Sequence, residues 1–158
     1  GHYDESLITS KHAVNIQDKQ GSPISSCILL SSGGGPGIHE NTAITHDDSI
    51  IIAVGAFLAC LSVPSLKLKW ETQADEGTCF GVHHSTIKQC YISHGELEIS
   101  RLNYDGEIEW KFSGKDIFTG ELNIVGDTIE VSDFNNENYA IDINSGKGRL
   151  IPGGARQV

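Results

Sequence analysis

The sequence predicts an all-β chain, a small or partial β-propeller built from four-stranded antiparallel meanders of about 40 residues each. Three short stretches carry this reading: "SLKLKW" at 65–70, "DGEIEW" at 105–110 and "SGKGRL" at 145–150 repeat a turn followed by a strand at a fixed interval. From residue 43 onward the apolar residues alternate with polar ones in short runs, separated by Gly, Asp, Asn, Ser and Pro. No segment carries a helical apolar stripe of useful length.

The first unit, 43–75, reads "AITH", "SIIIAVG", "FLACLSV" and "KLKWET", with "DD" as the turn after its first strand. The second, 76–115, reads "CFGVHH", "TIKQCYI", "ELEISRL" and "EIEWKF", with "HS" at 84–85 as the corresponding turn. The third, 116–152, reads "ELNIVG", "TIEVSD", "NYAIDI" and "GRLIP". Trp70, Trp110 and Leu150 then hold one position on the last strand of each unit, where a large apolar side chain covers the gap between neighbouring sheets. Within 1–42, "HAVNIQD" and "SPISSCILLSS" predict a hairpin, a partial fourth unit, followed by the Gly-rich loop "SSGGGPG". Residues 153–158 read as a tail, and the whole of 1–158 as a single domain. A fan that does not close leaves edge strands unpaired, which a partner protein or self-association would satisfy.

"NYAIDINSGKGRLI" and "LEISRLNYDGEIEWKF" resemble the quinoprotein-like, or PQQ-type, β-propeller repeat. Ala140, Asp142, Gly146 and Lys147 match it in the third unit, Asp105, Gly106 and Trp110 in the second, and Trp70 in the first. The resemblance covers roughly residues 43–151 and implies a fold more than a function. The propellers that hold the quinone resemble a much larger ring with dedicated calcium and quinone ligands, so no cofactor is expected here.

A balance of 21 acids against 11 bases gives a formal charge of −10, which argues against nucleic acid as a direct partner. Residues 95–158 hold 12 acids against 6 bases, net −6, so the charge gathers in the later units. No apolar run reaches the ~18 residues a membrane span needs. Cys27, Cys60, Cys79 and Cys90 form no CxxC pair. They read as free thiols of a cytoplasmic protein, or a periplasmic one if a leader was removed.

Cys79, His83, His84, Cys90 and His94 form the densest chemical cluster. With "HS" as the turn, Cys79 faces Cys90 and shares a side with His83 and His94. Thiolates and imidazoles are zinc donors, but this spacing matches no zinc module, and cysteines at alternating strand positions pack as small hydrophobes. Cys79, His83, Cys90 and His94 are therefore the metal candidates to weigh against a buried thiol pair. "SSGGGPGIHENT" lacks the Gly-Lys-Ser/Thr ending of a phosphate loop, so His39, Glu40 and Asn41 read as a connection or partner-contact loop. "THDDS" places His46, Asp47 and Asp48 in a turn, and "SDFNNENY" at 132–139 is a polar loop without calcium-loop spacing. Neither a nucleophile elbow nor an activated cysteine is visible.

These features predict a non-enzymatic protein-binding domain. In size and acidity the chain is similar to bacterial immunity proteins, which implies a basic partner such as a nuclease toxin, whose active site an acidic surface would cover. The expected contact residues are Glu96, Glu98, Glu107, Glu109, Asp116, Glu121, Glu130, Asp133 and Glu137, with Tyr104, Phe118 and Phe134 as aromatic anchors. The alternatives are an envelope scaffold of the same repeat type, and a sugar-binding or small-ligand module with its site at the mouth of the blades.

Overall fold

The computed structural model describes residues 7–152, so the expected 153–158 tail lies outside the described residues. Strands β1 (Ser10–Gln17) and β2 (Pro23–Ser31) pair as an antiparallel hairpin. Three four-stranded sheets follow, each with its strands in sequence order. Sheet 1 holds β3 (Ala43–His46), β4 (Ser49–Val54), β5 (Phe57–Ser62) and β6 (Leu68–Gln73). Sheet 2 holds β7 (Cys79–Ser85), β8 (Cys90–Gly95), β9 (Glu98–Leu102) and β10 (Ile108–Ser113). Sheet 3 holds β11 (Asn123–Val125), β12 (Thr128–Ser132), β13 (Asn138–Asp142) and β14 (Gly148–Ile151). Among the described residues no helix is long and apolar enough to cross a membrane.

Successive residues of a strand point to opposite faces, and the faces that meet between neighbouring sheets are apolar. Val14, Ile16, Cys27 and Leu29 of the hairpin meet Ile52, Leu61 and Leu66 of sheet 1. The opposite side of sheet 1, with Ile51, Leu58 and Cys60, meets Cys79, Val82, Tyr91 and Leu102. Cys90, Ile92 and Ile99 then meet Phe118, Ile129, Val131, Tyr139 and Ile141 of sheet 3. Because β4 is covered on both sides, it reads as the continuous run "SIIIAV" and not as an alternating strand.

The tryptophans lock these junctions. Trp70 Nε1–H donates to the Tyr104 carbonyl at 3.1 Å, and Trp110 Nε1–H donates to the Ile143 carbonyl at 3.1 Å. Each indole lies on the turn of the next sheet so closely that only glycine fits beneath it. A Cβ on Gly106 would stand 2.4 Å from Trp70 Cδ2, and one on Gly146 would stand 2.6 Å from Trp110 Cδ2. A register shift precedes each ring: β5–β6 slips between Cys60 and Leu61, and β9–β10 slips between Ile108 and Trp110. The β13–β14 pair has no such shift, so Leu150 lies opposite Tyr139 and shares its side. Leu150 therefore does not hold the tryptophan position that the spacing suggested.

A second tie is Asp75, which is fully buried. Its Oδ1 accepts from the backbone N–H groups of Gly77 and Thr78 at 2.6 and 3.1 Å, and its Oδ2 from Leu97 and Glu98 at 2.9 and 2.8 Å. One carboxylate thus joins the connection between sheets 1 and 2 to the β8–β9 turn, with its charge met by four donors.

The turn of β7–β8 differs from expectation. His84 pairs with Tyr91 and Ser85 with Cys90, so the loop is 86–89 and not "HS". "TIKQ" looks like strand because of its β-branched residues, yet Ile87 is 85% exposed and Gln89 takes a positive φ of 49°. Lys88 instead reaches Asp127 of sheet 3 at 2.8 Å.

Two glycine substitutions separate the indole contact from backbone strain. Gly126 and Gly146 have positive φ of 60° and 70°, but a Cβ on Gly126 would meet nothing within 4 Å. Urea unfolding should show Gly126→Ala costing about 1 kcal/mol and Gly146→Ala roughly 3 kcal/mol, because only the second displaces Trp110. Trp110→Phe should cost about 1 kcal/mol through the lost donor to Ile143.

Candidate functional site

The first strands of the three sheets, β3, β7 and β11, face one groove. It comprises two adjoining cavities of about 600 and 680 Å³ that share Glu40, Asn41, Glu121 and Leu122 in their walls. The loop leading into β3 forms one bank. His39 sets its course: its Nε2–H donates to the Phe80 carbonyl at 2.8 Å, and its Nδ1 accepts from Asn41 N–H at 3.2 Å. The Asn41 carbonyl in turn accepts from Val82 N–H at 2.8 Å. This approach needs Gly81, where a Cβ would stand 2.7 Å from that same oxygen.

His83 and His94 form part of the groove wall, with ring centroids 6.5 Å apart. Both Nε2 atoms are buried without a hydrogen-bond partner. Burial, then the neighbouring His83 and His39, pulls the pKa of His94 down to about 4. Burial, with His39 adding to it, also lowers that of His83. Both imidazoles are therefore neutral near pH 7 and offer hydrogen bonds, not charge. Charge comes from Glu40 and Glu121, exposed carboxylates that make no ion pair among the described residues. An open groove with apolar stretches at Ile38, Phe80 and Leu122, flanked by two free carboxylates, is suited to holding a segment of positive charge.

The four metal candidates, weighed above against a buried thiol pair, do not converge. A register shift between Cys79 and Gly81 places Cys79 opposite Gly95 and sends its thiol to the sheet 1 side, where Sγ lies 3.1 Å from Ser93 Oγ. Cys90, His83 and His94 lie on the other side, and Cys90 packs with sheet 3. No group of three or more His, Cys, Asp or Glu among the described residues could hold a metal. Burial pushes the Cys79 thiol up to about 12, the opposite of what a metal ligand or nucleophile needs. All four cysteines are free, with Cys27 half-buried and the others buried.

The expected contact residues divide. Phe118 is fully buried between sheets 2 and 3, so it is core and not an anchor. Asp133 is only 2% exposed and accepts from Asn135 N–H, Glu137 N–H and the Tyr139 hydroxyl, which makes it a loop brace. Glu98, Glu109 and Glu137 pair with Lys111, Arg101 and Lys115 at 2.6, 2.5 and 3.2 Å. Glu107 and Asp116 accept from the side-chain amides of Asn103 and Asn135. Glu96 is half-buried beside Gly77, and Tyr104 bonds His84 through its hydroxyl at 3.0 Å. Phe134, at 66% exposure, and the exposed Glu121 and Glu130 keep free surfaces. Of these, Glu121 lines the groove. Asp75 escaped the sequence reading, since "ADEGT" looks like any polar turn.

Solved structures with a similar arrangement of sheets include β-propellers. BamB from Moraxella catarrhalis superposes with a TM-score of 0.62 at 15% identity over 82% of this chain and 40% of that one. The WD40 β-propeller domain of Doa1 gives 0.62 at 12% identity, over 94% and 52%. The computationally designed Ika8 protein gives 0.62 at 9% identity, over 82% and 44%. The fold is a partial β-propeller. Its sheets are blades, and the chain spans about half the length of these three structures. No protein-family model matches the sequence, and no curated protein matches it either.

The neutral imidazole of His94 predicts an acid weakness. Between about 6.5 and 4 the unfolded chain takes up a proton that folded His94 refuses, so stability is full above that window and declines through it. The unfolding free energy from urea titrations should fall by an amount on the order of 3 kcal/mol across it, most visibly above about pH 5, where carboxylates titrate little. His94→Phe should flatten that slope.

Proposed function

We propose that the chain is a non-enzymatic protein-binding module that seats a basic segment of its partner in the groove of the first strands. The observation that carries this is the pair of unpaired carboxylates, Glu40 and Glu121, on the shared wall of two open cavities. The propeller fold supports it, because stacked blades create a concave rim on which loops from several sheets meet. The formal charge of −10 supports a basic partner through long-range steering.

The more specific reading is an immunity protein that blocks a basic nuclease toxin by covering its active site. Its support is charge and size. The second is a scaffold role of the kind found among PQQ-type repeat proteins, supported by the likeness of fold to BamB. Inhibition of the partner's activity separates the two.

A pull-down from the source organism, followed by titration of the captured protein at about 50 and about 300 mM salt, tests the module. A basic partner should bind at least tenfold more weakly at the higher salt, and the double variant Glu40→Lys, Glu121→Lys should lose most of the remaining affinity. Capture of a neutral protein whose binding ignores both salt and this variant would overturn the reading. If the partner is a nuclease, adding the chain should suppress cleavage in proportion to occupancy.

A further inference from the structure

A separate cavity of about 350 Å³ opens between blades 1 and 2, on the rim formed by the β3–β4 turn and the β9–β10 turn. Its walls include four aromatic rings: His46, Trp70, Tyr91 and Tyr104. His46 lies 4.5 Å from Tyr104 and 5.7 Å from Tyr91 between centroids, Tyr91 lies 5.2 Å from Tyr104, and Trp70 lies 6.2 Å from Tyr91. Hydrogen bonds hold these rings in place before any ligand arrives. The Tyr91 hydroxyl and His46 Nδ1 are 2.6 Å apart, and Trp70 is held by the Tyr104 carbonyl.

The mouth is acidic. Asp47, Asp48 and Asp105 line it against a single cation, Lys69. Lys69 Nζ is committed to Asp48 at 3.0 Å and to Ser49 Oγ at 2.8 Å. Asp47, 86% exposed, lies 3.6 Å from His46 Nε2, and Asp105 makes no ion pair among the described residues. An ammonium group thus already rests on the edge of the cavity, while the two carboxylates beside it pair with no lysine or arginine among the described residues. Aromatic faces attract cations through their quadrupole, and nearby carboxylates add Coulomb attraction. Alkyl carbons gain from burial against the same rings. Rings fixed in advance lose little freedom on binding.

We propose that this cavity receives an alkylammonium group, the lysine side chain of a basic partner. The proposal rests on the reading of the chain as a binder of basic partners, and adds which side chain is taken and where. The groove of the first strands and this cavity are lined by different residues, so each can be tested alone.

The probe is Nα-acetyl-lysine N-methylamide, titrated into the full chain while the two indole N–H resonances are followed by NMR, with the uncharged norleucine analogue as control. The Trp70 indole resonance should move and saturate with half-saturation at about a millimolar, a weak affinity suited to one side chain. The Trp110 resonance should stay in place, and norleucine should give no saturating shift. Asp47→Asn with Asp105→Asn should weaken the lysine response roughly fivefold while leaving the urea midpoint unchanged, since both side chains are exposed. Lack of saturation at Trp70, an equal response to norleucine, or an unchanged affinity in the double variant would each overturn the assignment. If lysine fails here while a captured basic partner still responds to Glu40→Lys and Glu121→Lys, the cavity assignment falls and the binding module stands. If lysine binds but no basic partner is captured, the cavity stands and the module reading falls.

Discussion

The indole that crosses from the last strand of one blade to the turn of the next is the contact on which the rest of this chain depends. Strands of 4 to 6 residues make a sheet too small to bury much on its own. Stacking alone would bury apolar area but leave the rotation between sheets loose. Trp70 and Trp110 add a directional hydrogen bond to a backbone carbonyl and a flat surface against a glycine turn. Both features hold only at one relative orientation of neighbouring sheets. Asp75 supplies a second fixed point at the junction of blades 1 and 2, by joining the connection between them to the β8–β9 turn.

Blade 3 departs from this scheme. It has neither the register shift nor the tryptophan, and Leu150 turns back toward the side of Tyr139. On its far side Asn123, Glu130, Ala140 and Arg149 lie in register across the sheet, a mostly polar row. The hairpin at the other end differs in kind, since Ile24, Ile28 and Leu30 are more than half exposed on its outer side. The two open faces are therefore chemically unlike.

Fixed blade rotation also creates the sites. The groove needs β3, β7 and β11 side by side, and its wall draws Glu40 from a loop and Glu121 from the connection into blade 3. The rim cavity needs His46 of blade 1 within reach of Tyr91 and Tyr104 of blade 2. Neither set is contiguous in the chain. In both, the acids that matter are those left over once the lysines and arginines have paired elsewhere, as Glu98, Glu109 and Glu137 do.

By itself the sequence determined the architecture, because alternation and turn chemistry act over a few residues. The strands of blade 1 and blade 3 fall where the pattern of "SIIIAV" and "TIEVS" places them, and the "DD" turn joins β3 to β4. It also singled out His39, Glu40, Asn41 and Glu121 one by one. Which side each residue faces was decided only by the tertiary structure. A slip of one residue reverses a strand's faces, and the shifts at Cys79 and Trp110 have no local signature. One such slip parts Cys79 from Cys90, and the bridge from Phe118 to Asp133 carries a phenylalanine beside a polar turn into the core. Convergence between blades depends on where whole sheets pack, and the free energy that places them comes from residues 33 and 34 positions apart.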